Sequence, residues 1–506
     1  MSVHILLDNP HNFYTNLDFI VGRIILSLTA DENVSAVVVK LEGESRTLLA
    51  QTSNPQGLGP YARRDSRQTI AMENHKILYK VNQVFPSLET GEAGMAYTLR
   101  AGKHEYPFRF KLPFNNGCAD PQNQQIAAGS GFAGLGKALG DMQQMSYMHV
   151  KKTLPPSLTG FPGEAEVRYY IKVTVQRPSI FKENRRRTIG FKFLPIEPPR
   201  PAPTSNEAFA RRQYSFGNMV GTAKKKGMFG KMPTSLSDTP PKGDLDARLP
   251  SPPILTCNEP VPLRLILRKT AESPEQVYFM GLQVNLLGST EVRAQGVNRM
   301  ETSTWVLTSL TGLSLPVGKP TDALRSETLL DSNLWNQTPL PNTVAPSFST
   351  CNLTRSYELE LRVTLGYGTP GNIQPQLITL PLRFHVEVYS GIKPPAALIT
   401  AMASRPVAPA AAVAPVQLPP RPSAVTATNP ADPLYPPQLG STQVGAFDEA
   451  PPSYEDAMAD EITPADEPRR EYSGVTDVDA PGLDEKGAAP SYGASQNGPG
   501  PSGPGR

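Results

Sequence analysis

The chain has 506 residues, of which 54 are proline and 39% are hydrophobic, with a formal net charge of +3. That hydrophobic share lies below the roughly 45–50% typical of globular domains, so a folded body must be diluted by segments that cannot bury a core. Neither a run of about eighteen apolar residues, as a membrane-spanning helix needs, nor a basic and then apolar leader after Met1 is present, and the expectation is a soluble intracellular protein.

Strand signals begin near the N-terminus. Ile20, Gly22, Ile24, Leu26 and Leu28 alternate with their neighbours, and Val37 to Leu41 follow a polar turn. Val167, Tyr169, Ile171, Val173 and Val175 keep the same two-residue period, which places one apolar face on a sheet. Short β-rich pieces separated by Gly, Pro, Asn and Asp argue for a sandwich rather than a parallel sheet with helices. Within this part, 115–153 reads as an insert. Phe132, Leu135, Leu139, Met142 and Met145 stand at helical spacing there, with Lys151 and Lys152 nearby. Such a stripe suits either packing on the sandwich or a membrane surface, and the glycines around it favour packing.

Residues 197–250 are rich in Pro, Ser and Lys and read as a basic linker. Strands resume at 262–267 and continue through Tyr357, Leu359, Leu361, Val363 and Leu365 to 382–388. The predicted organisation is all-β: a first sandwich over 1–196, the linker 197–250, a second sandwich over 251–393 and a Pro-rich tail over 394–506. That tail has too little apolar surface to offset its backbone entropy and is expected to be disordered. Between Ser441 and Pro490 it holds thirteen acidic against three basic residues, a net of −10, which leaves +13 for the rest of the chain. A basic body suits anionic membranes or partners, and equally an ordinary mixed surface.

The tail carries Pro451-Pro452-Ser453-Tyr454. Two prolines pre-set polyproline II geometry and the tyrosine adds an aromatic anchor, the pattern that aromatic-lined WW-domain grooves accept. Pro490 and Tyr492 form a weaker second copy without the first proline. Arg211 and Arg212 precede Ser215 at a spacing that basophilic kinases use, against the plainer reading of a solvated linker. Lys224, Lys225 and Lys226 are candidate ubiquitin acceptors or an anionic-lipid patch. Cys118, Cys257 and Cys351 are odd in number and far apart, which predicts reduced thiols and no metal site. The sequon Asn352-Leu-Thr354 is expected to be a chance match. Six dispersed histidines, no Gly-x-Ser-x-Gly elbow and no phosphate-cradling loop give no catalytic constellation, no cofactor site and no nucleic-acid platform.

Tyr14-Thr-Asn-Leu-Asp18 leading into Ile20-Val-Gly22, then Phe108-Arg-Phe110-Lys-Leu112-Pro113, Leu154-Pro-Pro-Ser157, Tyr169-Tyr-Ile-Lys-Val173 and Gly281-Leu-Gln-Val284 resemble, in order, the strand motifs of the arrestin family. The resemblance covers roughly 1–393 and implies two tandem immunoglobulin-like β-sandwich lobes. With the tail motif it is closest to the α-arrestins, the arrestin-related trafficking adaptors, in a fungal version. That class implies recruitment of a WW-domain HECT-type ubiquitin ligase to plasma-membrane transporters or receptors for ubiquitination and endocytosis. It also implies residence in the cytoplasm with recruitment to the plasma membrane and endosomes. An alternative within the family is a signalling scaffold of the ambient-pH-sensing type, which binds a receptor tail. A retromer-type sorting protein of similar fold would not need the tail motif. The buried arginine–carboxylate core and clathrin-binding motifs of visual and β-arrestins have no counterpart among these residues.

Overall fold

A computed structural model describes residues 1–51, 69–87, 95–118, 152–160, 164–179, 182–202, 204–217, 240–367 and 376–403, together with Ile462 and Tyr472. The helical stripe 132–145, Lys224–Lys226, and both tyrosine motifs of the tail lie outside the described residues.

The first lobe contains β1 (Ser2–Leu7), β2 (Phe19–Leu28), β3 (Glu32–Val34), β4 (Ala36–Gln51), β5 (Thr69–Phe85), β6 (Tyr97–Leu99), β7 (Gly102–Lys111), β8 (Leu158–Gly160), β9 (Ala165–Gln176) and β10 (Arg185–Phe191). One sheet runs β1-β2-β7 and the other β10-β9-β4-β5, with β8 added to β9. The alternation read from the sequence is the alternation of burial. Ile20, Ile24, Leu26 and Leu28 of β2 face Val167, Tyr169, Ile171, Val173 and Val175 of β9 across one core, all of them buried. Gly22 is required where β1 and β7 close on β2, since a Cβ there would stand 2.4 Å from the Leu6 carbonyl oxygen and 2.8 Å from the Phe108 ring. Each fully buried branched side chain contributes about 1.5–3 kcal/mol relative to exposure.

The second lobe contains β11 (Glu207–Ser215), β12 (Lys242–Pro250), β13 (Ile254–Thr256), β14 (Arg264–Lys269), β15 (Val277–Ala294), β16 (Val297–Val317), β17 (Glu327–Leu329), β18 (Phe348–Ser349), β19 (Leu353–Tyr367) and β20 (Gln376–Tyr389). Its sheets run β11-β12-β14-β17 and β13-β20-β19-β15-β16, with β18 on β19. Tyr357, Leu359, Leu361, Val363 and Leu365 of β19 are all in the core. β15 and β16 form one long hairpin. Its two-residue turn, Gln295 (φ 47°) and Gly296 (φ 80°), has left-handed backbone at both positions, the turn whose twist matches that of its strands. One helix, α1 (Ala396–Ala403), follows β20. Among the described residues no helix is long and apolar enough to cross a membrane.

The linker expected over 197–250 is corrected in part. Its two flanks are β11 and β12, paired from Glu207↔Pro250 to Ser215↔Lys242. β12 buries Leu245, Ala247 and Leu249, whereas Tyr214 is the one buried residue of β11. An edge strand needs little apolar surface, so its composition resembles that of a loop.

Candidate functional site

The residues that join the two lobes form the most organised polar region of the molecule. It starts at the turn Tyr14–Asp18, every residue of which is buried. The Asn16 side-chain amide donates to the carbonyls of Pro113 and Phe114, both at 3.0 Å, and its oxygen accepts from the Ile196 N–H at 2.9 Å. One side chain thereby ties the start of β2, the end of β7 and the exit from the first lobe. Leu17 takes a left-handed backbone (φ 71°), held by its N–H to the Leu112 carbonyl and by Asp18, whose carboxylate accepts from the Thr15 N–H at 2.7 Å. Leu17 packs with Phe114, Ile196 and Leu398 of α1, so the helix after the second lobe returns to the first. Ile462 of the tail joins this cluster, and its carbonyl accepts from Lys111 Nζ at 2.8 Å. Tyr472 meets Phe13 edge to face at 6.1 Å.

On the other side of the seam the β15–β16 hairpin tip and the start of β19 enter the first lobe. Val292, Ala294 and Leu353 belong to its core. Asn352 is fully buried. Its amide nitrogen donates to the Ser45 carbonyl (3.0 Å) and Thr47 Oγ1 (3.2 Å), while its oxygen accepts from Ser45 Oγ (2.7 Å) and Thr350 Oγ1 (3.1 Å). All four hydrogen-bonding positions of the amide are used. The sequon at Asn352 is thus a structural residue with no accessible nitrogen. Thr47 Oγ1 also donates to the Arg293 carbonyl at 2.6 Å, and the Gln295 N–H donates to Glu73 at 3.1 Å.

The cysteines read as scattered do not stay so. His75 and Cys118 are buried and Cys351 half-buried, with His75 Nδ1 3.3 Å from Cys118 Sγ and Cys118 Sγ 3.6 Å from Cys351 Sγ. Burial disfavours a charged His75, yet the Cys351 thiol and the Glu73 carboxylate outweigh it and raise the imidazole pKa to about 9. Cys257 is different in kind. It lies in the second core, its Sγ donating to the Val344 carbonyl, and burial pushes its thiol up to about 12.

A row of charge crosses the first lobe's second sheet on the face turned away from its core. Glu42 pairs across the ladder with Tyr170 and Glu44 with Arg168, while Lys76 of β5 reaches both carboxylates. Arg168 also meets Glu44 at 3.2 Å, and the Tyr170 hydroxyl lies 2.9 Å from Glu42 and 2.7 Å from Glu44. Burial drives the Glu44 carboxyl up, but Lys76, Tyr170 and Arg168 outweigh it and hold it at about 2. The adjoining edge strand β10 exposes Arg185, Arg186 and Arg187.

Of the residues singled out from sequence, Ser215 is described. It is exposed at the end of β11 opposite Lys242, with Arg211 fixed to Asp246 by two hydrogen bonds of 2.6 and 2.8 Å. Pro451, Pro452, Tyr454, Pro490, Tyr492 and the three lysines lie outside the described residues. Asn16 and Asn352, which the sequence reading passed over as parts of a motif and a sequon, join segments far apart in the chain.

Residues 3–120 match the family described as arrestin (or S-antigen), N-terminal domain. Over 135 residues the chain is 27% identical to arrestin-related trafficking adapter 10 of Lachancea thermotolerans, a match covering 25% of this chain and 30% of that protein. Over 125 residues it is 30% identical to arrestin-related trafficking adapter 10 of Candida glabrata, covering 23% of this chain and 24% of that protein. The match thus spans less than a third of either relative's length. The arrestin N-terminal pattern in the first lobe, the two all-β lobes and the similarity to fungal arrestin-related trafficking adapters together support an α-arrestin of the fungal kind.

Proposed function

We propose that this chain is a non-enzymatic trafficking adaptor that brings a WW-domain HECT-type ubiquitin ligase to membrane transporters or receptors, marking them for endocytosis. It would act in the cytoplasm and be recruited to the plasma membrane and endosomes. The observation that carries the reading is Pro451-Pro452-Ser453-Tyr454 in an acidic tail joined to an arrestin body. The fungal relatives, arrestin-related trafficking adapters by name, point the same way. The body supplies a surface that suits cargo: the exposed arginines of β10 favour an acidic cytosolic segment. A single motif of this kind binds at about micromolar strength, close to −8 kcal/mol. Productive recruitment then depends on both partners meeting at one membrane. Affinity capture of the ligase from lysate with the wild-type chain and with Tyr454→Ala tests the reading. Recovery is expected to fall at least tenfold with the variant, and equal recovery would remove the ligase from the proposal.

A further inference from the structure

The cluster of His75, Cys118 and Cys351 lies at the seam between the lobes, and its geometry is that of a ligand set. His75 comes from β5 and Cys118 from the segment after β7, both in the first lobe. Cys351 comes from the turn between β18 and β19 in the second. The three ligand atoms lie within 4.8 Å of one another. A tetrahedral zinc ion with Zn–S near 2.3 Å and Zn–N near 2.0–2.1 Å sets its ligand atoms roughly 3.5–3.8 Å apart. The observed separations of 3.3 Å between nitrogen and sulfur and 3.6 Å between the two sulfurs need adjustments of a few tenths of an ångström.

A second observation concerns the far side of the imidazole. His75 Nε2 is bonded to Glu73 Oε1, and the other oxygen of Glu73 accepts the Gln295 N–H at 3.1 Å. A carboxylate behind a histidine fixes the ring orientation, so that Nδ1 offers its lone pair toward the sulfurs once its proton is lost on metal binding. Glu73 is itself anchored from the opposite lobe, so the outer shell bridges the seam as the ligands do. The chemistry of the set, two thiolates and an imidazole, selects zinc and similar thiophilic cations over magnesium or calcium.

We propose that His75, Cys118 and Cys351 bind a thiophilic divalent cation such as zinc between the lobes, with Glu73 as the outer carboxylate. Binding turns both thiols into thiolates and takes up the neutral imidazole, and the displaced protons pass to solvent. Three protein ligands leave one tetrahedral position for water or an exogenous ligand. Because Cys351 belongs to the second lobe and the other two ligands to the first, the ion acts as a staple across the seam.

The test uses the purified full chain, stripped with a chelator under reducing conditions and titrated with cobalt(II) as a spectroscopic substitute. One equivalent is expected to produce near-ultraviolet sulfur-to-cobalt charge transfer, and added zinc should bleach it. Cys118→Ser and Cys351→Ser should each lose the band or reduce it strongly, while Cys257→Ser should keep it. Glu73→Gln, which leaves all three ligands in place, should weaken affinity by about 10–100-fold. Zinc should raise the Tm of the wild type and not that of Cys351→Ser, with circular dichroism confirming that each variant is folded. Absence of the band, or its persistence in both cysteine variants, would overturn the proposal. Thiol counting that finds Cys118 and Cys351 joined as a disulfide in the freshly isolated protein would overturn it in favour of a redox link.

Discussion

Lys76 stands between Glu42 and Glu44, two carboxylates with relative exposures of 4% and 6% that would repel one another without it. Burial alone would drive the lysine toward its neutral form, but the paired carboxylates reverse this and its pKa is raised. The arrangement makes stability depend on acid in a definite direction. The Glu44 carboxyl sits at about 2 in the folded protein against an ordinary value of 4.5. Its contribution is therefore complete above pH 4.5 and is lost as pH falls from there toward 2, in total about 3 kcal/mol. Denaturant unfolding measured between pH 6 and pH 3 should show this slope, and Glu44→Gln should flatten it. Lys76→Met should cost about 3–5 kcal/mol at neutral pH, because it leaves buried carboxylates with less compensation. A loss under about 1 kcal/mol would mean that Arg168 and Tyr170 suffice to hold them.

The strands that build the cores were legible because a half-buried strand repeats every two residues: β2 keeps that repeat throughout, and the apolar positions of β9 and β19 follow it although Tyr170, Thr174, Glu360 and Gly366 are buried on the opposite face. His385 lies between the buried Phe384 and Val386 of β20, and its side chain is 92% exposed beside Glu358. β11 was not readable, since an edge strand with one buried side chain has no apolar period to detect. The seam was hidden for another reason. Cys118 lies 43 residues from His75 and 233 from Cys351, so only the docking of two lobes makes them neighbours. Asn352 shows how much one element contributes to that docking. Replacing it with leucine removes its four hydrogen bonds to Ser45, Thr47 and Thr350 while keeping similar bulk, and each lost buried hydrogen bond costs about 1 kcal/mol or more. Asn352→Leu should lower the unfolding free energy by roughly 3 kcal/mol or more, while His385→Leu on the solvated face should stay within about 0.5 kcal/mol. Equal effects of the two in parallel denaturant titrations would show that the seam does not couple the lobes.

Across the whole molecule, the chain leaves the first lobe at Ile196, builds the second and returns through α1 and Ile462 to the turn where β2 begins. Among the described residues the return contact includes one partly buried isoleucine, one hydrogen bond from Lys111 and one ring contact at Phe13. A hydrogen bond contributes about 1 kcal/mol net and a partly buried aliphatic side chain about as much again. Tyr454 lies eight positions before Ile462. Eight residues reach at most about 28 Å when extended, which bounds the distance from Tyr454, in the proposed WW-domain motif, to Ile462. If docking restricts access to that motif, releasing it should strengthen WW-domain binding by the free energy of the contact. Ile462→Asp, which places a charge in the Leu17–Phe114 cluster, together with Tyr472→Ala should raise WW-domain affinity for the full chain by roughly tenfold, the equivalent of about 1.4 kcal/mol. The same two changes in an isolated tail peptide should have no effect, because no lobe is there to compete. Titration calorimetry on both forms decides the matter: unchanged affinity in the full chain would mean that the tail presents its motif whether docked or free.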